Sequence, residues 1–153
     1  MVLIDGVKVK RLEVKPSETG MLMEIVRRDD DIFINFGQAY ITTAYPGVVK
    51  GWGWHNHKDE LITTLGGMVK TVLYDGRENS PTHGVINEFF MGDHYPCLVR
   101  VPPRVVHGFK CVSGNEATLL VISSEPYDRE NPDEFHIDPH VNNIPYEWRR
   151  KDG

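Results

Sequence analysis

The feature that most constrains this chain is its punctuation: the apolar runs are short, and each is stopped by a turn rich in Gly, Pro, Asn or Asp. Turn signals stand at Gly66-Gly67, Asp75-Gly76, Met91-Gly92-Asp93, Pro102-Pro103 and Ser113-Gly114-Asn115. Between them several runs alternate with the two-residue period of a strand. Met68, Lys70 and Val72 fall on one face, and Val69, Thr71 and Leu73 on the other. The pattern predicts strands over Val7–Val14, Met21–Val26, Phe33–Ala44, Lys50–His57, Glu60–Leu65, Met68–Tyr74, Gly84–Phe90, Cys97–Val101, Val106–Cys111 and Ala117–Ser124. Short strands at this spacing, with almost no helix-period segment, predict an all-β double-sheet jelly roll or barrel. The tail, Glu125–Gly153, is polar and proline-punctuated, with one helical turn expected near Asn131–Phe135.

A length of 153 residues suits one domain over 1–153 and is too short for two ordinary ones. The longest apolar stretches, such as Leu119–Ile122, fall far short of the ~20 residues of a membrane span. Met1–Arg11 alternates and carries charge early, unlike a signal peptide, so a cytoplasmic protein is expected. A net charge of −5 argues against nucleic acid, which needs a basic face, but leaves room for a small anion held by local cations. Cys97 and Cys111 form no CxxC pair and are expected to be reduced and buried.

The segments with chemical content begin with Gly51-Trp52-Gly53-Trp54-His55-Asn56-His57-Lys58-Asp59-Glu60. On a continuous strand, Gly53, His55 and His57 share one face, while Trp52, Trp54 and Asn56 take the other. Paired imidazoles can bind a metal or move a proton near neutral pH; equally, they can be hydrogen-bonded residues beside a turn. Pro102-Pro103-Arg104-Val105-Val106-His107-Gly108-Phe109 leads a stiffened turn into another histidine, read as a pocket residue or a satisfied core residue. In Asp75-Gly76-Arg77-Glu78-Asn79-Ser80-Pro81-Thr82-His83-Gly84, Arg77 offers a planar fork to phosphate oxygens unless the loop is only a hairpin turn. Asp138, before Pro139, is either an Asx-type turn or a carboxylate for the site.

Together these residues resemble the dTDP-4-dehydrorhamnose 3,5-epimerase family, nucleotide-sugar epimerases of the cupin type. The similarity runs from about Gly20 to Trp148. Ser80-Pro81-Thr82-His83-Gly84 matches an SPTFG-like loop, and Pro102 through Phe109, followed by Ser113, matches a P-x-x-x-x-HGF stretch. Gly47-Val48-Val49-Lys50-Gly51 stands where a Gly-Val-x-Arg-Gly segment precedes the family's catalytic histidine. Gln38, Asp138-Pro139 and Trp148 occupy further family positions. The resemblance implies a cupin double-stranded β-helix, a homodimer, and a nucleoside-diphosphate sugar carrying a 4-keto group. It implies a histidine base that removes the proton alpha to the ketone, an aspartate behind it, and a tyrosine that returns a proton on the opposite face. No metal or other cofactor is required.

Transferred residue by residue, His55 is the base, His57 a second acid/base, His107 a pocket residue, and Asp138 the carboxylate that orients an imidazole. Gln38, Lys50 and Arg77 contact the substrate, and Trp52 or Trp54 stacks on sugar or base. An ungapped alignment puts Gly53 at the histidine position, and a two-residue insertion brings His55 there. The family tyrosine would fall within Leu120–Ile122, where none exists; Tyr127, Tyr40 and Tyr74 are the substitutes. His55-Asn56-His57-Lys58 also resembles the paired-histidine segment of related 3,4-ketoisomerases. Two other readings stay open. One is a metal-dependent cupin enzyme using His55, His57, Glu60 and His107; the other is a sugar-nucleotide-binding protein without catalysis.

Overall fold

A computed structural model describes residues 1–153, and in it the alternating runs are strands. In chain order they are β1 (Lys8–Arg11), β2 (Val14–Ser17), β3 (Gly20–Met23), β4 (Gln38–Ala44), β5 (Val49–Trp54) and β6 (Glu60–Gly66). There follow β7 (Met68–Tyr74), β8 (Ile86–Gly92), β9 (Cys97–Val101), β10 (Val106–Cys111), β11 (Ala117–Ser123) and β12 (Phe135–His136). One five-stranded sheet has the order β1-β9-β6-β11-β4 and a second the order β12-β5-β10-β7-β8, while β2 and β3 form a separate ribbon. All pairings within the two large sheets are antiparallel. No strand pairing joins one large sheet to the other, so neither the sheets nor their edges close into a hydrogen-bonded barrel. The all-β, cupin-like architecture stands, built from two five-stranded sheets neither of which closes on itself.

The core lies between them. Val69, Leu73 and Met91 from the second sheet meet Ile62, Val99, Leu119 and Val121 from the first. Each such buried side chain contributes about 2 kcal/mol. Cys97 and Cys111 belong to this layer as buried free thiols. The outer face of the second sheet carries a smaller cluster, in which Trp52 and Val72 are covered by Trp148, with Ile144 and Tyr146 beside them. The irregular C-terminal tail thus returns to the sheet. No helix in the structure is long and apolar enough to cross a membrane.

Where strands stop differs from the sequence reading for local reasons. The run Val7–Val14 breaks because Leu12 turns inward against Ile32, Leu61 and Leu98, and β2 then leaves to pair with β3. The run Phe33–Ala44 enters its sheet only at Gln38. Just before it, Gly37 lies against the backbone of Glu125, where a Cβ would sit 2.1 Å from the carbonyl carbon. Asn131–Phe135 forms no helical turn: Asp133 is engaged with the β5 exit, and Phe135 and His136 add a short strand opposite Trp54 and Gly53.

Candidate active site

The chain leaves β5 after Trp54, so His55 is the first residue beyond the strand. The bend that follows is held by the Asp133 carboxylate, which accepts the backbone N–H of Asn56 at 2.7 Å and of His57 at 2.9 Å. Burial alone would raise the Asp133 pKa, but these two N–H groups and the neighbouring histidines hold it low. The bend ends the two-residue alternation. His55 turns inward and is 8% exposed, while His57 is exposed outside the cluster. The expectation that both histidines share a face is corrected here, because the strand ends one residue too early.

His107 arrives on β10, opposite Gly53 of β5 and Leu73 of β7 and beside a bulge in the β5–β10 pairing. Glu60 opens β6 in the other sheet and is 3% exposed. Its carboxylate bridges the two imidazoles, with Oε1 3.1 Å from His55 Nε2 and Oε2 3.0 Å from His107 Nε2. Each imidazole also meets a backbone carbonyl through Nδ1: Asp133 at 2.6 Å for His55 and Val105 at 3.1 Å for His107. A carbonyl only accepts, so both Nδ1 atoms carry protons. A protonated Nε2 on either ring donates to the ionised Glu60, so the trio forms a short proton-sharing chain.

The electrostatics agree. Burial would push the Glu60 pKa up, yet the hydrogen bonds and charges of His107 and His55 hold it well below the usual carboxylate range. Burial would lower the His55 pKa, but Glu60, the Asp133 carbonyl and Glu134 raise it. The Glu134 Oε2 lies 3.4 Å from His55 Nδ1, and its other oxygen accepts from the nearly buried Lys58 at 2.7 Å. The Tyr40 hydroxyl, on β4, reaches Glu60 Oε1 at 3.3 Å, and Ser123 approaches the same oxygen at 3.4 Å. Burial first, then the charges of Glu60 and Glu134, push the Tyr40 phenol well above its ordinary pKa, so it stays neutral.

The same three residues suit a divalent ion. Their donor atoms lie within 4.8 Å of one another, and each imidazole is oriented by a carbonyl on its far nitrogen, as metal-bound histidines are. His57 is not part of that set.

The other expected site residues take different places. Asp138 is exposed and caps its own turn, accepting the N–H groups of His140 and Val141 at 2.7 and 2.9 Å; the carboxylate that lies against the two imidazoles is that of Glu60. Trp52 is fully buried, 4.7 Å from Trp148 between ring centroids, and offers no face to a ligand. Trp54 instead stacks on Phe135 and borders a cleft of about 600 Å3 with Asn56, Arg77 and Arg104. The Arg77 fork is already occupied: it pairs bidentately with buried Asp75, and Nη2 also donates to the Asp5 carbonyl. Ser80 and Thr82 donate to the same carboxylate, so the Ser80–Gly84 motif is a structural knot. Lys50 extends to Thr42 at 2.9 Å, and Gln38 accepts the N–H of Tyr127.

Asp133 and Glu134 were missed by sequence reasoning; the Pro132-Asp133 dipeptide was the available turn signal. Arg104 holds the left-handed conformation (φ 65°) with its N–H on the His55 carbonyl at 2.6 Å, and thereby ties the two histidine segments together. Its guanidinium has no carboxylate partner.

Comparisons with known proteins agree with this architecture. The family model described as polysaccharide biosynthesis C-terminal domain matches residues 15–135. The spore coat polysaccharide biosynthesis protein SpsL of Bacillus subtilis is 35% identical over 146 residues, covering 95% of this chain and 97% of its own. A probable low-salt glycan biosynthesis epimerase of Haloferax volcanii is 35% identical over 138 residues, covering 88% and 87%. The crystal structure of a dTDP sugar isomerase from Desulfovibrio desulfuricans superposes with a TM-score of 0.91 at 28% identity, covering 99% and 98%. With two thirds or more of its length matched in family model and relatives alike, the chain belongs to the polysaccharide biosynthesis C-terminal domain family, among the dTDP-4-dehydrorhamnose 3,5-epimerase-like cupins.

Proposed function

We propose that this chain is a sugar-nucleotide epimerase or isomerase acting on a dTDP-linked 4-keto-6-deoxyhexose. The observation that carries the reading is the buried His55–Glu60–His107 chain, set beneath Tyr40 in a protein of this family. A proton alpha to a ketone leaves at a useful rate only when a positioned base takes it and the developing oxyanion is stabilised. His55 is the base: in its neutral form Nε2 turns to the substrate in place of Glu60, and the Asp133 carbonyl on Nδ1 keeps the ring oriented. His107 donates toward the enolate oxygen. Tyr40, neutral and half-exposed at the mouth, returns a proton from the opposite side and takes the role for which β11 has no tyrosine. Trp54 and the unpaired Arg104 line the cleft that also includes Asn56, next in sequence to His55, where a ring and a fork suit the base and diphosphate. The two sheets act as a cupin-type double-stranded β-helix, one domain over 1–153, in a cytoplasmic homodimer.

A second reading is favoured by the clustering of His55, Glu60 and His107: these residues would hold a divalent ion, which supplies Lewis-acid polarisation of a carbonyl oxygen when bound.

The test is deuterium exchange of dTDP-4-keto-6-deoxyglucose in heavy water. The wild-type protein is expected to incorporate deuterium at C3, or at C3 and C5, and His55→Ala to slow this by at least about 100-fold with the fold retained. Exchange that survives in His55→Ala removes His55 from the base role. Elemental analysis of the same preparation decides the second reading: a stoichiometric metal lost in a His55→Ala/His107→Ala variant would establish it.

A further inference from the structure

The outer face of the second sheet, turned away from the histidine cluster, holds a cavity of about 420 Å3 that the reaction does not use. Lys70, Lys110, Arg150 and Lys151 line it, against a single carboxylate, Glu88. Lys70 of β7 and Lys110 of β10 are directly opposed partners in the antiparallel register. Like charges in that position destabilise a sheet, and a lysine buried without a partner is costly. Yet Lys70 is only 5% exposed and has neither a carboxylate nor a hydrogen-bond acceptor. Its ammonium lies over the rings of Tyr146 and Trp148, at 5.2 and 5.8 Å from their centroids.

The neighbouring groups do not neutralise it. Lys110 donates to the Trp148 carbonyl at 2.8 Å, an uncharged acceptor. Glu88 holds the Tyr146 hydroxyl and lies 3.6 Å from Lys151. Arg150 is exposed and pairs with Asp152 at the rim. Burial and the charges of Lys110 and Lys151 accordingly outweigh Glu88 and lower the Lys70 pKa. Phe90, opposite Lys70 on β8 and 54% exposed, forms the flank of the cavity.

We propose that this cavity is a second ligand site, taking a diphosphate anion between Lys70 and Lys110. The missing counter-charge comes from the ligand, and ammonium groups are established point-charge partners of phosphate oxygens. The diphosphate can be free or part of a nucleotide whose ring rests on Phe90. The site does not depend on the reaction assigned to the histidine cluster.

The test is calorimetric titration of the full chain with inorganic pyrophosphate, with thermal melts alongside. The wild-type protein is expected to bind saturably, with affinity falling at least tenfold in both Lys70→Met and Lys110→Gln and unchanged in His55→Gln. Without pyrophosphate, Lys70→Met is expected to melt higher than wild type, because it removes a buried ammonium opposed by Lys110; it should also lose the rise in Tm that pyrophosphate gives wild type. Repeating the titration with dTDP identifies the source: weaker dTDP binding in Phe90→Ala, with pyrophosphate binding unchanged, assigns a nucleotide, and equal behaviour assigns free diphosphate. Absence of saturable binding, or binding lost in His55→Gln or Arg104→Gln but kept in Lys70→Met and Lys110→Gln, overturns the proposal.

Discussion

Glu60 shows how a single side chain acquires a role from its surroundings. It stands at the first position of a strand, beside Asp59, and its spacing after His55 and His57 marks it in the sequence only as the carboxylate of the metal-binding alternative. Its meaning comes from His107, which the fold brings within 3.0 Å from the opposite sheet. The Asp138-Pro139 motif drew the orienting role to an acid that lies outside the histidine cluster, because a dipeptide is visible in sequence and a contact between sheets is not. Tyr40 was legible only as a substitute. The proton-donor role proposed for it is separable from that of His55 by experiment: Tyr40→Phe removes the hydroxyl and leaves the imidazole. Deuterium wash-in is expected to persist within about tenfold of wild type, while formation of the inverted product falls by about 100-fold or more. Equal loss of both would place Tyr40 on the same side of the sugar as His55.

At the scale of elements, alternation and turn residues located the strands well, since both are local properties of the chain. Strand ends were less legible. The bend after Trp54 is imposed by Asp133, which lies nearly eighty residues further on (a separation of 77 from Asn56), and that bend separates His57 from His55. The β5–β10 pair depends on glycine at one close approach. A Cβ on Gly108 would lie 2.9 Å from the Lys50 carbonyl and 3.0 Å from Gly51 Cα, directly beside His107. Gly108→Ala is therefore expected to cost about 2 kcal/mol in urea unfolding and to reduce turnover through displacement of His107. Unchanged stability would mean that the ladder has room to shift.

Across the whole molecule, Asp75 connects distant parts of the chain. It is fully buried and accepts from Arg77, Ser80 and Thr82, while Arg77 and Thr82 bind the backbone of Asp5 in the N-terminal segment. Burial would raise its pKa, but the Arg77 fork and the two hydroxyls hold it well below the usual carboxylate range. A depressed folded-state pKa stabilises the protein fully above the unfolded value of about 3.9, and that contribution is lost as pH falls through the folded value. Asp75→Asn is expected to cost about 3 kcal/mol at pH 7, with a shallower decline of stability below pH 4 than wild type. Urea unfolding from pH 7 to pH 3 measures both, and parallel curves would exclude Asp75 as an acid-sensitive group.

The Glu60 bridge also bears on descent. It joins the two sheets as well as carrying the proposed chemistry, so a descendant that abandoned the reaction would still gain stability from Glu60, His55 and His107. Loss of the ancestral reaction would be recorded first at Tyr40, which is 43% exposed and free to drift.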